Sequence, residues 1–255
     1  MLIAYTRAVS PTLADCEITH LERMPLDVAR AAVEHEAYEA LLEKLGASLR
    51  RLPPAPDLPD AVFVEDTAVV LDEIAVIAYP GAASRRPETL SVASALAAHR
   101  PLAHIASPAT LDGGDVLVAG RTIFAGLSSR TTRDGVDQLA RAVQPFGYDV
   151  VPVEFQGCLH LKSAVTRVAD NLLLLNPAWV DAAALPGYRT VNVDPMEPHA
   201  ANALLLGGSV IHPSHFPGTR ARMEAEGLRV APVAMAELAK AEAGVTCCSL
   251  LVRIA

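Results

Sequence analysis

The chain has 255 residues, 51% of them hydrophobic but only 4% aromatic, and a formal net charge of −8. That length suits one large domain or two small ones, and the core must be built from aliphatic side chains. The negative balance disfavours nucleic acid or an anionic membrane surface as the main partner, and no apolar run approaches the ~20 residues of a membrane-spanning helix.

In chain order, "MLIAYTRAV" predicts a strand, "LDVARAAVEHEAYEALLEKLG" a helix and "SLRRLP" a second strand. The Pro-rich "RLPPAPDLPDA" reads as a rigid loop rather than a domain boundary. "AVFVEDTAVVLDEIAVIAYP" predicts two strands that turn at Asp72 and Glu73. "SRRPETLSVASALAAH" predicts a helix with Pro87 in its first turn, and "PLAHIA" a strand.

The same unit returns four times. "LDGGDVLVAGRTIFAGLS" turns at Gly120, "TTRDGVDQLARAVQPFG" is a helix stopped by Pro145 and Gly147, and "YDVVPVEF" is the strand after it. "LHLKSAVTRVADNLLLLNP" turns at Asp170 and Asn171, with "RTVNVDP" downstream. "AANALLLGGSVIHPS" turns at Gly207 and Gly208, followed by "GTRARMEAEG" and "LRVAPVAM". A fifth unit begins at "TCCSLLVRI" and is completed by the N-terminal strand, helix and strand.

Hairpins thus start at Ala61, Leu111, Leu159, Ala200 and Thr246. A repeat of roughly 45 residues that closes one terminus onto the other predicts radial repetition, a closed ring of five units rather than an open sheet, with residues 1–255 as a single domain.

Hairpin after hairpin opens with a polar or reactive residue just before or at the start of its first strand: Asp60, Glu65 and Asp66, then Asp112 and Asp115, His160 and Lys162, Asn202, and Cys247. Around an axis these positions converge on one end. A thiolate nucleophile needs positive charge nearby, which a histidine or a cationic substrate supplies. His160 is the candidate general acid and base, Asp112 the carboxylate that fixes its tautomer, and Asp66 a partner for a cationic substrate. Arg85 and Arg130, near predicted helix starts, suit carboxylate binding, and Asp115 reads as structural.

A competing reading is zinc held by Cys158, His160 and Cys247 or Cys248, but no CxxC pair supports it and adjacent cysteines on a strand face opposite ways. No metal is expected. Cys16, Cys158, Cys247 and Cys248 show no disulfide-framework spacing and "MLIAYTRAVS" no secretory leader, so a cytoplasmic protein with reduced thiols is expected.

"PDAVFVEDTAVV", "PGAASRRPE", "LDGGDVLVAG", "GLSSRT", "LHLKS", "AAN" and "TCCS", in this order over nearly the whole chain, resemble the dimethylarginine dimethylaminohydrolases of the guanidine-modifying superfamily. The resemblance implies the pentein fold, a five-bladed α/β propeller of ββαβ modules. It also implies cofactor-free hydrolysis of Nω-methylated arginine to citrulline and a methylamine through a covalent thiouronium. Cys247 is then the nucleophile, His160 the acid and base, and Asp112 its support. Asp66, with Glu65 beside it, grips the guanidinium, and Asp60, Arg85 and Arg130 bind the amino-acid end.

The loop "SPTLADCEITHL" and Ala241 depart from the family pattern, which leaves substrate preference open. The alternatives are a deiminase-like hydrolase of another guanidine, or a non-catalytic arginine- or zinc-binding protein on the same fold. A homodimer is one option for assembly, which the sequence does not fix.

Overall fold

The computed structural model describes residues 1–254. Its strands fall into five three-stranded sheets of one design, an antiparallel pair with a third strand added in parallel. Strand β1 (Leu2–Thr6), helix α1 (Val28–Lys44) and strand β2 (Ser48–Arg51) begin the chain, with β1 and β2 parallel. The second sheet is β3 (Ala68–Val70), β4 (Ala75–Ile77) and β5 (Leu102–His104), with α2 (Thr89–Ala97) before β5. The third is β6 (Val116–Ala119), β7 (Thr122–Leu127) and β8 (Asp149–Glu154), with α3 (Arg133–Val143) before β8.

A one-turn helix, α4 (Leu161–Ala164), leads into β9 (Val165–Ala169), β10 (Leu172–Leu175) and β11 (Arg189–Asn192). The fifth sheet is β12 (Leu204–Leu206), β13 (Ser209–Pro213) and β14 (Val230–Val233), with α5 (Pro217–Ala225) before β14. After α6 (Ala236–Ala239), strand β15 (Leu250–Arg253) pairs antiparallel with β1 and completes the first sheet, Leu2 opposite Arg253. This is the predicted five-module α/β propeller, closed by its two terminal strands. In the β10–β11 crossover a 3₁₀ turn, Ala182–Ala184, stands where the other modules carry a helix.

Local chemistry explains these elements. Asp27 caps α1 by accepting the Arg30 N–H, and Thr132 caps α3 by accepting the Gly135 N–H. In α3 the buried Val136, Leu139 and Val143 form one apolar stripe, and the turn after it ends on Gly147 at φ +76°. Pro87 lies in a 3₁₀ turn, Ala83–Glu88, ahead of α2 rather than inside it, since α2 starts at Thr89.

Small clusters of aliphatic side chains, rather than one central core, hold the modules together. Ile3 and Tyr5 of β1, Leu250 and Val252 of β15, Ala75 and Ile77 of β4, and Leu96 of α2 share one cluster. It therefore welds the closing sheet to its neighbour. Truncating fully buried Leu96 to Ala would cost about 2–5 kcal/mol.

The first strand of each antiparallel pair lies innermost: β15 touches β3, β6 touches β9, and β9 touches β12. They surround an axial channel of about 780 Å³, lined among others by Val69, Leu117, Thr166, Leu205 and Leu250. The residues just before these strands therefore gather at one end of the axis. No helix among the described residues is long and apolar enough to cross a membrane.

Candidate active site

The polar residues that precede the inner strands sit in turns, not in the strands expected for them. "VEDT" is a 3₁₀ turn, Val64–Thr67, and "GGD" another, Gly113–Asp115. His160 precedes α4, and Cys247 and Cys248 lie in a turn ahead of β15. A turn repeats every three residues rather than two, so neighbouring side chains diverge without facing opposite ways. Cys248 is fully buried in a core cluster, while Cys247 is half-buried and faces the site cavity.

Asp60, Asp66, Arg85, Arg130, His160 and Cys247 line one small cavity of about 20 Å³. Its roof and rim include Glu17, Ala241, Glu242 and Ala243. Asp112 stands behind His160, its Oδ2 3.1 Å from Nε2, while its Oδ1 accepts the Gly81 N–H. Oδ1 of Asp66 is 3.7 Å from His160 Nδ1 and accepts the Gly114 N–H. A Cβ on Gly114 would lie 2.5 Å from the Asp66 carboxylate and 2.6 Å from the His160 ring, so the second glycine of "LDGGDV" is needed for the approach of these two groups.

Electrostatics follows from this packing. Burial alone would push the His160 imidazolium toward deprotonation, but the carboxylates of Asp66, Asp112 and Asp115 hold its pKa up at about 9. The ring is therefore protonated at neutral pH, with both nitrogens facing carboxylates. Burial also opposes the Asp66 charge, yet His160 and Arg85 outweigh it and hold its pKa at about 2. Cys247 goes the other way. Burial and the carboxylates of Glu65 and Asp66 push its thiol up to about 12, only partly opposed by the Gly244 N–H, 3.3 Å from Sγ, and by Lys162. The thiol is neutral until more positive charge arrives.

Asp115 accepts the Leu161 N–H and the Ser128 hydroxyl and does not line the cavity, in line with the structural role read from the sequence. Glu65 does not line it either. Its Oε1 meets Lys162 Nζ at 2.5 Å and its Oε2 accepts the Thr246 hydroxyl at 2.6 Å, so it faces the axial channel. Thr246 is bound in turn by Asn202. This set forms the floor between channel and cavity; Lys162 and Asn202 are among the residues expected at the starts of the inner strands, while the Thr246 side chain carried no such expectation.

Arg85 is largely committed to the protein. Its Nη1 donates to Asp66 at 2.5 Å, Nε and Nη2 donate to Glu88, and Nη2 also reaches the Phe63 and Asp60 carbonyls. One Nη1 hydrogen remains for a ligand. Arg130 is freer: Nη2 donates to the Thr19 hydroxyl at 3.3 Å, and Nη1 is 4.0 Å from Asp112. Asp60 accepts the Glu17 backbone N–H.

The competing zinc set is divided. Cys158 donates to the His160 carbonyl and lines a separate cavity with His20, His199 and His215. Among the described residues the one group of donors close enough for a metal is Asp66, Asp112 and His160, whose atoms are engaged with Arg85, Gly114, Gly81 and one another.

A family model described as arginine deiminase matches residues 13–199. The chain belongs to that family. Within it, the chain is 39% identical to an N(G),N(G)-dimethylarginine dimethylaminohydrolase from Streptomyces coelicolor, over 98% of this chain and 96% of that one. A second such enzyme, from Pseudomonas aeruginosa, is 31% identical over 88% and 89% of the two chains. The crystal structure of a Cys-to-Ser mutant of DDAH from Pseudomonas aeruginosa, complexed with citrulline, superposes with a TM-score of 0.91 at 29% identity, covering 97% of this chain and 98% of that one. The N-terminal domain of the cyanobacterial arginine dihydrolase ArgZ shares the fold at 18% identity, with a TM-score of 0.89. The family member described here is a hydrolase of the dimethylargininase type.

Proposed function

We propose that the protein hydrolyses Nω-methylated arginine, both monomethylarginine and asymmetric dimethylarginine, to citrulline and a methylamine, with Cys247 as nucleophile. The observation that carries this reading is the convergence of a neutral thiol, a protonated histidine and an ionised carboxylate on one cavity. A thiol held near pKa 12 by burial and by the carboxylates of Glu65 and Asp66 is poorly set up to attack a neutral substrate. A cationic guanidinium beside Asp66 supplies the charge that makes the thiolate accessible.

The steps then balance. As the cationic substrate binds, the Cys247 thiol loses its proton to water, and the thiolate bonds to the central guanidinium carbon. His160 gives its proton to the departing methylamine as the C–N bond breaks, leaving a cationic S-alkylthiouronium. Water adds to that carbon and loses a proton to His160. Collapse breaks the C–S bond and releases citrulline and the thiolate, the remaining hydroxyl proton passing to solvent, where the freed amine takes up a proton. Asp112 keeps the imidazole oriented throughout, and Arg85 fixes Asp66 in place. Arg130, with the remaining Arg85 hydrogen, receives the α-carboxylate, and Asp60 the α-ammonium. Remote contacts of this sort raise rate by holding reactants in attack geometry, worth as much as ~7–11 kcal/mol in favourable cases.

A reducing cytoplasmic setting fits four unpaired cysteines, one of them catalytic. Citrulline release from arginine, monomethylarginine and asymmetric dimethylarginine tests the substrate, with the methylated forms expected to react at least tenfold faster. A preference for arginine would replace this reading with a deiminase. Trapping by acid quench should show a covalent adduct on Cys247, and Cys247→Ser should retain less than a hundredth of wild-type turnover.

A further inference from the structure

We propose that Glu242 is the latch that holds the loop of residues 17–22 shut over the cavity, and so acts as a positioning residue; this rests on the cavity being the site of the reaction proposed above. The Glu242 carboxylate accepts three consecutive backbone N–H groups. Oε2 takes that of Thr19 at 3.1 Å, and Oε1 takes those of His20 and Leu21, each at 2.5 Å. Successive N–H groups aimed at one anion form a nest, and bonds to a charged acceptor are the strong kind. Glu242 has φ +58°, the one positive φ at a non-glycine among the described residues.

The loop has two unlike halves. Leu13 and Cys16 are buried in a core cluster with Ala241, Val245 and Cys248, which anchors the first half. From Glu17 to Met24 the loop is exposed at all but Ile18 and has little packing of its own. What holds that second half is polar: Glu242 on three amides, Asp60 on the Glu17 N–H, Ser84 on the Glu17 carboxylate at 2.6 Å, and Arg130 on the Thr19 hydroxyl. Asp60 and Arg130 are also the groups assigned to the amino-acid end of the substrate.

This loop has to move. A cavity of about 20 Å³ holds about one water molecule. An arginine-sized ligand needs many times that volume, and Glu17 and Glu242 are among the residues that enclose it. Opening must therefore break the carboxylate's bonds to the loop. Glu242 also lies two residues from Gly244, whose N–H points at the Cys247 sulfur. The state of the loop and the surroundings of the nucleophile are thereby tied to one six-residue segment, Glu242 to Cys247.

The test uses hydrogen exchange on the substrate-free protein, comparing wild type with Glu242→Gln and Glu242→Gly. Glycine adopts φ +58° without strain, so the second variant guards against a folding defect. Peptides covering residues 17–24 are expected to exchange roughly tenfold faster or more in both variants, with the five sheets unchanged. KM for the methylated substrate should rise about tenfold while kcat stays within about threefold, as loss of a contact that holds the closed complex requires. Unchanged exchange over 17–24 in both variants overturns the latch. Faster exchange with unaltered KM and kcat overturns its positioning role. The exchange measurement needs no substrate, so a protein that turns over no guanidine would sink the proposed reaction and leave the latch standing.

Discussion

Replacing Asp66 with Asn keeps the side-chain shape and removes one charge at the centre of the site. Three partners are affected: Arg85 Nη1 at 2.5 Å, His160 Nδ1 at 3.7 Å and the Gly114 N–H at 2.9 Å. An Asn carbonyl still accepts from Gly114, but it does not balance two cations. The magnitude follows from linkage. Asp66 has a folded pKa of about 2 against a model-compound value of 3.8, a depression equivalent to about 2.5 kcal/mol. Because that pKa is lowered, the contribution is fully present above 3.8 and disappears as pH falls through about 2. Orphaning one member of a buried ion pair costs about 3–5 kcal/mol, and Glu88 stays with Arg85, which places the expected loss near the lower end, about 3 kcal/mol.

Two measurements check this. Urea unfolding at pH 7 should show that loss, with the gap between variant and wild type narrowing below pH 4. Titration of the His160 ring by NMR should move its midpoint from about 9 toward 6.5 by at least about one unit, since the Asp66 charge is the largest influence holding it up. A variant within 1 kcal/mol of wild type, with an unmoved His160 midpoint, would refute the electrostatic account of the site.

Three further outcomes are expected. The imidazolium of His160, with its pKa raised from 6.5 to about 9, contributes stability that is fully present below 6.5 and lost as pH rises through about 9. The general acid is lost over the same rise, so kcat should fall above about pH 9, and a flat profile to pH 10.5 would count against His160 as the acid. Lys162→Met should destabilise the fold by about 3–5 kcal/mol by leaving Glu65 buried without its cation, and adding Glu65→Gln should recover a large part of that loss. Arg130→Ala should raise KM at least tenfold with little change in kcat; unchanged steady-state kinetics would remove Arg130 from substrate binding.

The architecture was largely legible because the modules carry strong local signals, such as the turn residues at Gly120, at Asp170–Asn171 and at Gly207–Gly208, and the Pro145–Gly147 stop. The convergence of Asp66, Asp112, His160 and Cys247 was legible too, since it follows from repeat position. Their backbone was not. The apolar runs on either side of the polar triplet in "AVFVEDTAVV" suggest a strand, but Glu65 and Asp66 lie in the 3₁₀ turn Val64–Thr67, where Glu65 meets Lys162 and Asp66 meets His160 and Gly114 of neighbouring modules. Glu65 and Asp66, adjacent in sequence, still serve different compartments, Glu65 the channel and Asp66 the cavity. Glu242 carried no signal at all: "AKAEAG" has the look of an ordinary helix end, and its three partners lie more than two hundred residues away.

Closure of the ring by β1 and β15 sets an order of assembly. Chain growth from the N-terminus leaves β1 with one bare edge until residues 250–253 have been made, and Leu2 then has to find Arg253 across almost the entire length. Contacts of such separation form late and slowly. The sulfur of Cys247, the proposed nucleophile, travels on the same stretch, so four modules can be folded before it reaches the cavity. Activity would then report on completion of the fold: a nascent or truncated chain with an open sheet edge holds the histidine and its carboxylates but has no thiol among them.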